Sequence, residues 1–221
     1  MDNKKIYSMV DHTLLAPTAT WGQIQEICQE SLEYGTASIC IPPSYIKPVF
    51  DKYGSQINIC TVIGFPLGYN TTAAKLAEIE LANQDGANEF DMVVNQGDVK
   101  DKNFDKITAE IKALKTAVGD KILKVIIECC YLTEDEKIAL CKCVTEAGAD
   151  YIKTSTGFGT GGATLADIQL FKAHIGPNVK MKAAGGMKTR EDFIAFINEG
   201  CARLGTSSAV KVLTGGESGG Y

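Results

Sequence analysis

Three lysines recur in apolar, β-branched stretches of the chain at a fixed interval. Lys124 lies in "KVIIE", Lys153 in "YIKTS" and Lys182 in "VKMKAA", with 29 residues separating each from the next. Lysine is among the residues least often fully buried, so its presence in stretches typical of buried strands calls for a chemical reason. Side chains alternate between the two faces of a strand, so these lysines can converge on one interior. The alternative is that they point outward or extend their charged ends to the rim.

Two lysines that face inward together would suit amine chemistry. A neighbouring cation and burial each disfavour the protonated amine and lower a lysine pKa. A fall from about 10.4 to about 7 corresponds to roughly 4–5 kcal/mol that the fold must supply. A neutral amine attacks a carbonyl carbon and forms a Schiff base, and the protonated imine is then an electron sink of the kind that an aldol cleavage needs. The sequence therefore predicts that Lys153 is buried so that it can be uncharged and nucleophilic.

Asp91 in "EFDMVVN" is an acid within an otherwise apolar stretch. Aldol cleavage needs a group that carries protons to and from the carbon beside the imine, and an inward-facing carboxylate suits that role. Lys182 would keep Asp91 ionised and relay protons with it. The alternative is a carboxylate at an edge or on the outer face. Glu128, which ends another apolar stretch, is assigned to an internal charge network with Lys124.

Glycine-rich segments follow the last three of the β-branched stretches. They read "TSTGFGTGG", "AAGGMKT" and "LGTSS". In barrel enzymes, phosphate commonly binds at the loops after the last two strands, where backbone N–H groups point at the anion. Gly185, Gly186, Ser207 and Ser208 fit such a site. The segments predict a phosphorylated substrate.

Eight short β-branched stretches alternate with longer amphipathic ones along the chain. The predicted strands cover residues 12–15, 37–41, 57–63, 89–95, 121–129, 151–155, 179–184 and 203–207. The marked helical stretches cover residues 20–35, 71–86, 104–119, 133–148 and 189–200. Strands that alternate with helices of this length imply parallel βαβ units, and eight of them predict a closed (β/α)8 TIM barrel. No linker interrupts the pattern, so we expect one domain over residues 1–221 with a flexible tail at about 214–221.

Composition excludes several classes of function. The chain has 221 residues, of which 45% are hydrophobic and 22% charged, with a formal net charge of −5. That charge argues against broad nucleic-acid binding or binding to an anionic membrane surface. The N-terminal "MDNKKIYSMVDHTLL" has no long apolar core, and no stretch reaches the length of a membrane span. We therefore expect a cytoplasmic protein.

The eight cysteines have no zinc-site spacing and form no CxxC pair. They are Cys28, Cys40, Cys60, Cys129, Cys130, Cys141, Cys143 and Cys201. Most lie in apolar segments, so we interpret them as small buried hydrophobes in a reducing compartment. A metal or redox role is the alternative. We expect no metal and no cofactor.

Five motifs together resemble the deoxyribose-phosphate aldolase family. They are "DHTLL" near the start, "EFDMVVN" around Asp91, "IKTSTGF" around Lys153, "VKMKAAGGMKT" around Lys182 and "RLGTSS" near the end. The resemblance extends from about residue 7 to the last residue. It implies a (β/α)8 barrel and a metal-free Schiff-base aldolase. It also implies reversible cleavage of 2-deoxy-D-ribose 5-phosphate to D-glyceraldehyde 3-phosphate and acetaldehyde in deoxyribonucleoside breakdown, and a homodimer.

The resemblance also implies roles for individual residues. Lys153 would form the Schiff base, Lys182 would perturb it, and Asp91 would be the proton donor and acceptor. Tyr221 at the chain end would be a proton relay from a mobile tail, unless that tail has no role. Residues implied to line the substrate or phosphate site are Asp11, Thr13, Cys40, Lys124, Thr156, Gly157, Gly185, Gly186, Ser207 and Ser208.

The chain departs from some relatives in the loop after Lys153. Those relatives have a phosphate-site lysine directly after "TSTG", where this chain has Phe158. The resemblance therefore implies weaker phosphate binding, although many members of the family have an aromatic residue there. Two alternatives stay open: a related lysine-dependent aldolase or transaldolase that acts on another phosphosugar, and a phosphosugar-binding protein without activity.

Overall fold

The computed structural model describes residues 1–216 of the 221-residue chain. Tyr221 and its predicted role as a proton relay lie outside the described residues. The structure therefore leaves that role a prediction.

Eight parallel strands form a closed barrel in sequence order, and β8 pairs with β1 to complete it. This confirms the predicted (β/α)8 fold. The strands are β1 (Val10–Thr13), β2 (Ser38–Ile41), β3 (Ile59–Ile63), β4 (Glu89–Val93), β5 (Ile122–Ile126), β6 (Tyr151–Lys153), β7 (Lys180–Ala184) and β8 (Cys201–Thr206).

Ten α-helices surround the barrel or cover its ends in the described part of the chain. They are α1 (Asn3–Tyr7), α2 (Trp21–Tyr34), α3 (Ile46–Tyr53), α4 (Thr72–Asp85), α5 (Gln96–Lys100), α6 (Phe104–Val118), α7 (Glu134–Glu146), α8 (Leu165–His174), α9 (Arg190–Glu199) and α10 (Ala209–Leu213). The helices with clear sequence signals begin and end near the predicted positions. Thr133 and Glu136 form a capping box at the start of α7, which satisfies two of the free N–H groups there.

The largest differences from the predicted boundaries occur at the barrel ends. The first strand covers Val10–Thr13 rather than 12–15, so "DHTLL" contributes only its first three residues. The fifth strand ends at Ile126, whereas the sequence predicts a strand to residue 129, and a single 3₁₀ turn follows at Cys129–Tyr131. The short helices α3 and α5 lie outside the predicted helical stretches.

The outward faces of the strands pack against the helices as an aliphatic core. Ile39 and Ile41 on β2, and Val125 on β5, are fully buried in this layer. The inward faces are different, because they carry fully buried Asp11, Lys124 and other charged groups. Branched aliphatic side chains usually fill this space in (β/α)8 barrels. The sequence therefore uses the barrel interior for chemistry rather than for packing alone.

No helix within residues 1–216 is both long and apolar enough to cross a membrane. All eight cysteines are free thiols, and each except the half-buried Cys130 is buried. Burial raises the pKa of these thiols where they lie in apolar surroundings, for example that of Cys28 to about 12. This arrangement agrees with their interpretation as small buried hydrophobes.

Candidate active site

The predicted chemical residues meet at one carboxylate oxygen inside the barrel. The Nζ atoms of Lys153 and Lys182 each lie 2.7 Å from Oδ2 of Asp91. Lys153 is on β6, Lys182 on β7 and Asp91 on β4, so closure of the barrel brings the three together. Lys153 is 3% exposed, whereas Lys182 and Asp91 are fully buried. The two amines therefore face each other across a shared partner and do not point into the outer helical layer.

The equal spacing of the three lysines does not place them at equal heights. Lys153 and Lys182 are direct partners across β6 and β7, but the partner of Lys124 on β6 is Tyr151. Lys124 is therefore one inward-facing position closer to the amino ends of the strands. It lies level with Asp91, its direct partner on β4, and its Nζ is 2.8 Å from Asp91 Oδ1.

Asp11 on β1 links the lysines to a second group of charges. Its Oδ2 accepts a hydrogen bond from Lys182 and lies 3.6 Å from Lys124 Nζ. Its Oδ1 accepts hydrogen bonds from Ser38, at 2.7 Å, and from Arg203. All of these side chains are buried, so Asp11 has a fixed orientation.

Sequence reasoning did not identify Glu89 or Arg203 as members of this network. Arg203 on β8 donates to both carboxylate oxygens of Glu89 on β4, at 2.9 and 3.2 Å. Lys124 Nζ lies 2.6 Å from Glu89 Oε2. Asn58 donates to Glu89 Oε1 at 2.6 Å. The only sequence signal was a charged residue in each of two predicted strands, and such residues more often face the solvent.

The lysines keep the carboxylates ionised. Burial alone would raise the pKa of Asp91, but Lys124, Lys153 and Lys182 outweigh it and hold that pKa well below its usual range. The pKa of Asp11 is likewise lowered, by Lys124, Lys182 and Arg203 against the effect of burial. These carboxylates can accept protons in a reaction but do not hold them at rest.

The carboxylates have the opposite effect on two of the lysines. Burial would lower the pKa of Lys182, but Asp11 and Asp91 raise it above the ordinary lysine value. The pKa of Lys124 is also raised, by Asp11, Asp91 and Glu89 against burial. Lys182 and Lys124 are therefore ammonium ions at neutral pH, and Lys182 is the cation beside Lys153.

A cavity of about 480 Å³ opens above Lys153 at the carboxyl ends of the strands. Its volume suits a small ligand. Predicted site residues that line it are Thr13, Lys153, Thr156, Gly157, Gly185, Gly186, Ser207 and Ser208. Lining residues that the prediction missed include Gly159, Thr160, Gly161, Gly162, Lys188 and Thr206. The missed glycines belong to the "TSTGFGTGG" segment, so its full length, and not its first glycine alone, was the signal.

Three of the predicted substrate residues lie beneath the cavity and are not among its lining residues. Asp11 and Lys124 belong to the charge network, and Cys40 is fully buried in a small apolar cluster with Leu15 and Cys60. A hydrogen bond from Cys60 lowers the pKa of Cys40, against the effect of burial. Their contact with a substrate stays a prediction.

Close contact between two backbones forms one wall of the cavity. A Cβ atom on Gly162 would lie 2.5 Å from the carbonyl carbon of Gly185 and 2.6 Å from the nitrogen of Gly186, so only glycine fits there. Gly185 and Gly186 have φ of 73° and 78°, in the left-handed region that favours glycine. The loops after β6 and β7 are therefore held against each other.

Glu128 has a different role from the one the sequence suggests. Its carboxylate accepts hydrogen bonds from the backbone N–H of Thr156, at 3.2 and 3.3 Å, and from the Thr156 hydroxyl. Lys124 instead contacts Asp11, Glu89 and Asp91. Glu128 itself has φ of 53°, which is uncommon for a residue with a side chain. It positions the loop that lines the cavity after Lys153.

Phe158 lies at the open end of the barrel and is 43% exposed. Its ring packs edge-on against Phe65, with 5.4 Å between the ring centroids. Phe158 supplies an apolar edge where some members of the resembled family have a lysine. Lys188, which is exposed and lines the cavity, is a cation on the β7 side.

Two groups of buried side chains are close enough together to share a metal ion. They are Cys40, Cys60 and Asp91, and Asp11, Cys60 and Glu89. Each carboxylate in them is already paired with lysine or arginine, and these ammonium and guanidinium groups would repel a metal cation. We therefore identify no metal ligands among residues 1–216.

Comparison with known proteins gives one consistent result. A family model described as DeoC/LacD family aldolase matches residues 5–216. The deoxyribose-phosphate aldolase of Clostridium botulinum (strain Alaska E43 / Type E3) is 68% identical over 221 residues, which is 100% of both chains.

Solved structures agree in fold over nearly the whole chain. A putative deoxyribose-phosphate aldolase from Coccidioides immitis has a TM-score of 0.93 and 38% identity, over 97% of this chain and 86% of that one. A deoxyribose phosphate aldolase from Aeropyrum pernix, described as having a unique tetrameric structure, has a TM-score of 0.89 and 28% identity. That match covers 96% of this chain and 91% of that one.

Proposed function

The chain belongs to the DeoC/LacD family of aldolases, and we propose that its reaction is that of its named relatives, the deoxyribose-phosphate aldolases. The substrate would be 2-deoxy-D-ribose 5-phosphate, cleaved reversibly to D-glyceraldehyde 3-phosphate and acetaldehyde in deoxyribonucleoside breakdown. The observation that carries this proposal is the position of Lys153. Its amine lies at the base of the cavity and shares one Asp91 oxygen with Lys182.

The first step is attack of the Lys153 amine on the aldehyde carbon of the open-chain sugar. The amine must be unprotonated for this attack. The Lys182 ammonium occupies the same carboxylate oxygen, so a second ammonium on Lys153 would be only partly compensated and would be repelled by the first. A C–N bond forms, a proton moves to the carbonyl oxygen, and loss of water gives the imine.

The second step breaks the bond between C2 and C3 of the sugar. The 3-hydroxyl loses its proton, its oxygen becomes the aldehyde of glyceraldehyde 3-phosphate, and the bonding electrons move toward the iminium nitrogen. The resulting enamine then takes a proton at C2, and water releases acetaldehyde from Lys153. Asp91 and Lys182 form a hydrogen-bonded pair beside this nitrogen, which supports their proposed role in accepting and returning these protons.

The phosphate would bind at the far side of the cavity from Asp91. Gly185, Gly186, Ser207 and Ser208 line the cavity, and Lys188 adds a positive charge. Neutral donors and one exposed lysine suit a dianionic group that must be released after each turnover. Lys188 supplies a positive charge at the cavity, which Phe158 cannot supply.

Trapping the imine tests this proposal. Acetaldehyde with sodium borohydride should leave an ethyl group on Lys153, located by peptide mapping, and activity should be lost in step with labelling. A Lys153→Met variant should take no label at this peptide and show no turnover, whereas Lys172→Met, at an exposed lysine on α8, should behave as the unaltered enzyme. An unlabelled Lys153 peptide in an active enzyme would falsify the Schiff-base mechanism.

A substrate panel tests the phosphosugar. We expect deoxyribose without phosphate to be cleaved with a higher KM and also a lower kcat, since part of the binding energy of a remote phosphate is used to orient the reacting carbon. Preference for another phosphosugar would instead support a related lysine-dependent aldolase or transaldolase.

We further propose that the enzyme works in the cytoplasm as a homodimer. Eight free thiols suit a reducing compartment. The dimer follows from the family resemblance, and light scattering in solution would distinguish it from a tetramer such as that described for Aeropyrum pernix.

A further inference from the structure

The barrel interior contains a charged pair, Glu89 and Arg203, that the reaction above does not use. We infer that Arg203 and Glu89 are positioning residues that set the proton count of the lysine cluster and so leave Lys153 free to be uncharged. This inference rests on the proposed Schiff-base function. It goes beyond it, because neither residue is among those that line the cavity or those that the family resemblance implicates.

Both side chains are held in place by the barrel and are inaccessible to a substrate. Arg203 is 8% exposed and Glu89 is 2% exposed. The guanidinium group of Arg203 lies 5.7 Å from the centre of the Tyr151 ring and donates three hydrogen bonds, two to Glu89 and one to Asp11. A buried guanidinium with this many partners is fixed both in orientation and in charge.

The pair is connected to the reacting lysine by direct contacts. Arg203 donates to Asp11, Asp11 accepts from Lys182, and Lys182 shares an Asp91 oxygen with Lys153. Glu89 is connected by a second route, because it pairs with Lys124 at 2.6 Å, and Lys124 contacts Asp91 at 2.8 Å. A change of charge at either end is therefore felt at Asp91 with little screening by water.

The charges in this contact network balance only when one amine is neutral. Within the described residues the network contains four groups that can be cationic, Lys124, Lys153, Lys182 and Arg203, and three carboxylates, Asp11, Glu89 and Asp91. An uncompensated buried charge is strongly unfavourable. The network therefore favours the state in which one of the lysines has lost its proton.

The number of carboxylate contacts identifies that lysine. Lys153 contacts one carboxylate, Lys182 contacts two and Lys124 contacts three. Lys153 is also the one of the three that lines the cavity, where a neutral amine can meet a carbonyl carbon. Arg203 is essential to this balance, because without its charge the network would be neutral with all three lysines protonated.

Titratable groups from all eight strands occupy the barrel interior beside or beneath the Lys153 amine. They are Asp11 on β1, Cys40 on β2, Cys60 on β3, Glu89 and Asp91 on β4, Lys124 on β5, Tyr151 on β6 itself, Lys182 on β7 and Arg203 on β8. Glu128 lies beyond the strand ends and bonds to Thr156. Variants at Arg203 and Glu89 leave the other groups unchanged, and a separate control changes Tyr151 alone.

The experiment measures the pH dependence of acetaldehyde trapping at Lys153. The initial rate of cyanoborohydride-trapped label on the Lys153 peptide is recorded against pH for five forms of the full chain. They are the unaltered protein, Arg203→Met, Glu89→Gln, the double variant and Tyr151→Phe, which keeps the ring beside Arg203 and changes no charge in the network.

Loss of the Arg203 cation should move the pH midpoint of trapping upward by about one unit, and loss of the Glu89 anion should move it downward by about one unit. The double variant keeps three lysines and two carboxylates, so its cationic groups again outnumber its carboxylates by one. Its midpoint should therefore return towards that of the unaltered protein. Tyr151→Phe should leave the midpoint in place. A purely structural role would slow trapping in each single variant, and more so in the double variant, without opposite shifts.

Midpoints that do not move, or that move in the same direction, would overturn the inference. If Arg203→Met fails to fold by circular dichroism, Arg203→Lys takes its place: it keeps the charge and should keep the midpoint, while Glu89→Gln still tests the downward shift. Failure of this inference is distinct from failure of the proposed function. In the first case the unaltered protein is trapped at Lys153 but the shifts are absent; in the second it is not trapped at all.

Discussion

Gly205 on β8 tests whether the position of Lys182 controls the reaction. A Cβ atom added at Gly205 would lie 3.0 Å from Cε and 3.6 Å from Nζ of Lys182, and 3.2 Å from Cβ of Ala184. Lys182 cannot move away freely, because it is fully buried and its Nζ is held by Asp91 at 2.7 Å and by Asp11. In a Gly205→Ala variant, the amine must therefore shift by a few tenths of an ångström from its partners.

The size of the expected effect follows from this geometry. Misplacement of a catalytic group by about 1 Å can reduce a rate by about 10²-fold, so a smaller shift should reduce kcat by about 10-fold. Overpacking in a dense interior should lower the free energy of unfolding by about 1–3 kcal/mol. Cleavage can be measured by coupling acetaldehyde release to alcohol dehydrogenase and NADH, and stability by urea unfolding.

Gly22 provides a matched control for the same chemical change. It lies in the first turn of α2, is exposed, and has no atom within 4 Å of an added Cβ. Gly22→Ala should leave kcat unchanged and raise stability by roughly 0.5–1 kcal/mol, because alanine favours the helix. A Gly205→Ala enzyme with normal kcat would refute the reasoning, since it would mean that Lys182 need not occupy its observed position.

Two further predictions concern stability. Lys75→Met removes the fully buried partner, at 2.8 Å, of the nearly buried Glu110 and should lower the free energy of unfolding by about 3–5 kcal/mol. As a control, Lys47→Met breaks an exposed ion pair and should lower the free energy of unfolding by less than about 1 kcal/mol. Equal losses for the two variants in urea unfolding would contradict this prediction. The pKa of Asp11 is lower in the folded protein than in the unfolded chain, where it is about 3.9. The ionised Asp11 therefore stabilises the fold above about pH 3.9, and this stabilisation is lost as the pH falls towards the pKa of the folded protein. An Asp11→Asn variant should therefore show a flatter loss of urea stability below about pH 4 than the unaltered protein, and parallel slopes would be the contrary result.

Much of the fold could be predicted because its signals are local. Capping residues such as Thr133 and terminal glycines such as Gly35 act within one helical turn, so the sequence marks where α2 and α7 begin or end. Alternation of strands and helices then leaves few possible topologies, and the closed barrel follows. The boundaries of β1 and β5 were less accurate, because strands of four or five residues carry little periodicity.

Part of the site could also be predicted, because its residues combine unusual composition with glycine-rich loops. A lysine or aspartate in an apolar strand is rare enough to need a reason, and this identified Lys153, Lys182 and Asp91 as candidates. Arg203 and Glu89 are the first residues of their predicted strands, where a charged side chain more often faces the solvent. Glu128 was assigned to Lys124 but bonds to Thr156, because its position beyond the end of β5 directs it to the next loop.

The sequence by itself thus determined the order of strands and helices and the alternation of side chains between the inner and outer faces of each strand. It also determined which residue types are available to the barrel interior. Only the tertiary structure decided which of those residues meet. The pairs Lys182–Asp11 and Arg203–Glu89 are separated by 171 and 114 positions in the chain, and Lys124 lies one step below Lys153 despite the equal spacing. Periodicity along one strand fixes which face a side chain occupies. The height at which it meets its neighbours depends on how eight strands are staggered when the barrel closes.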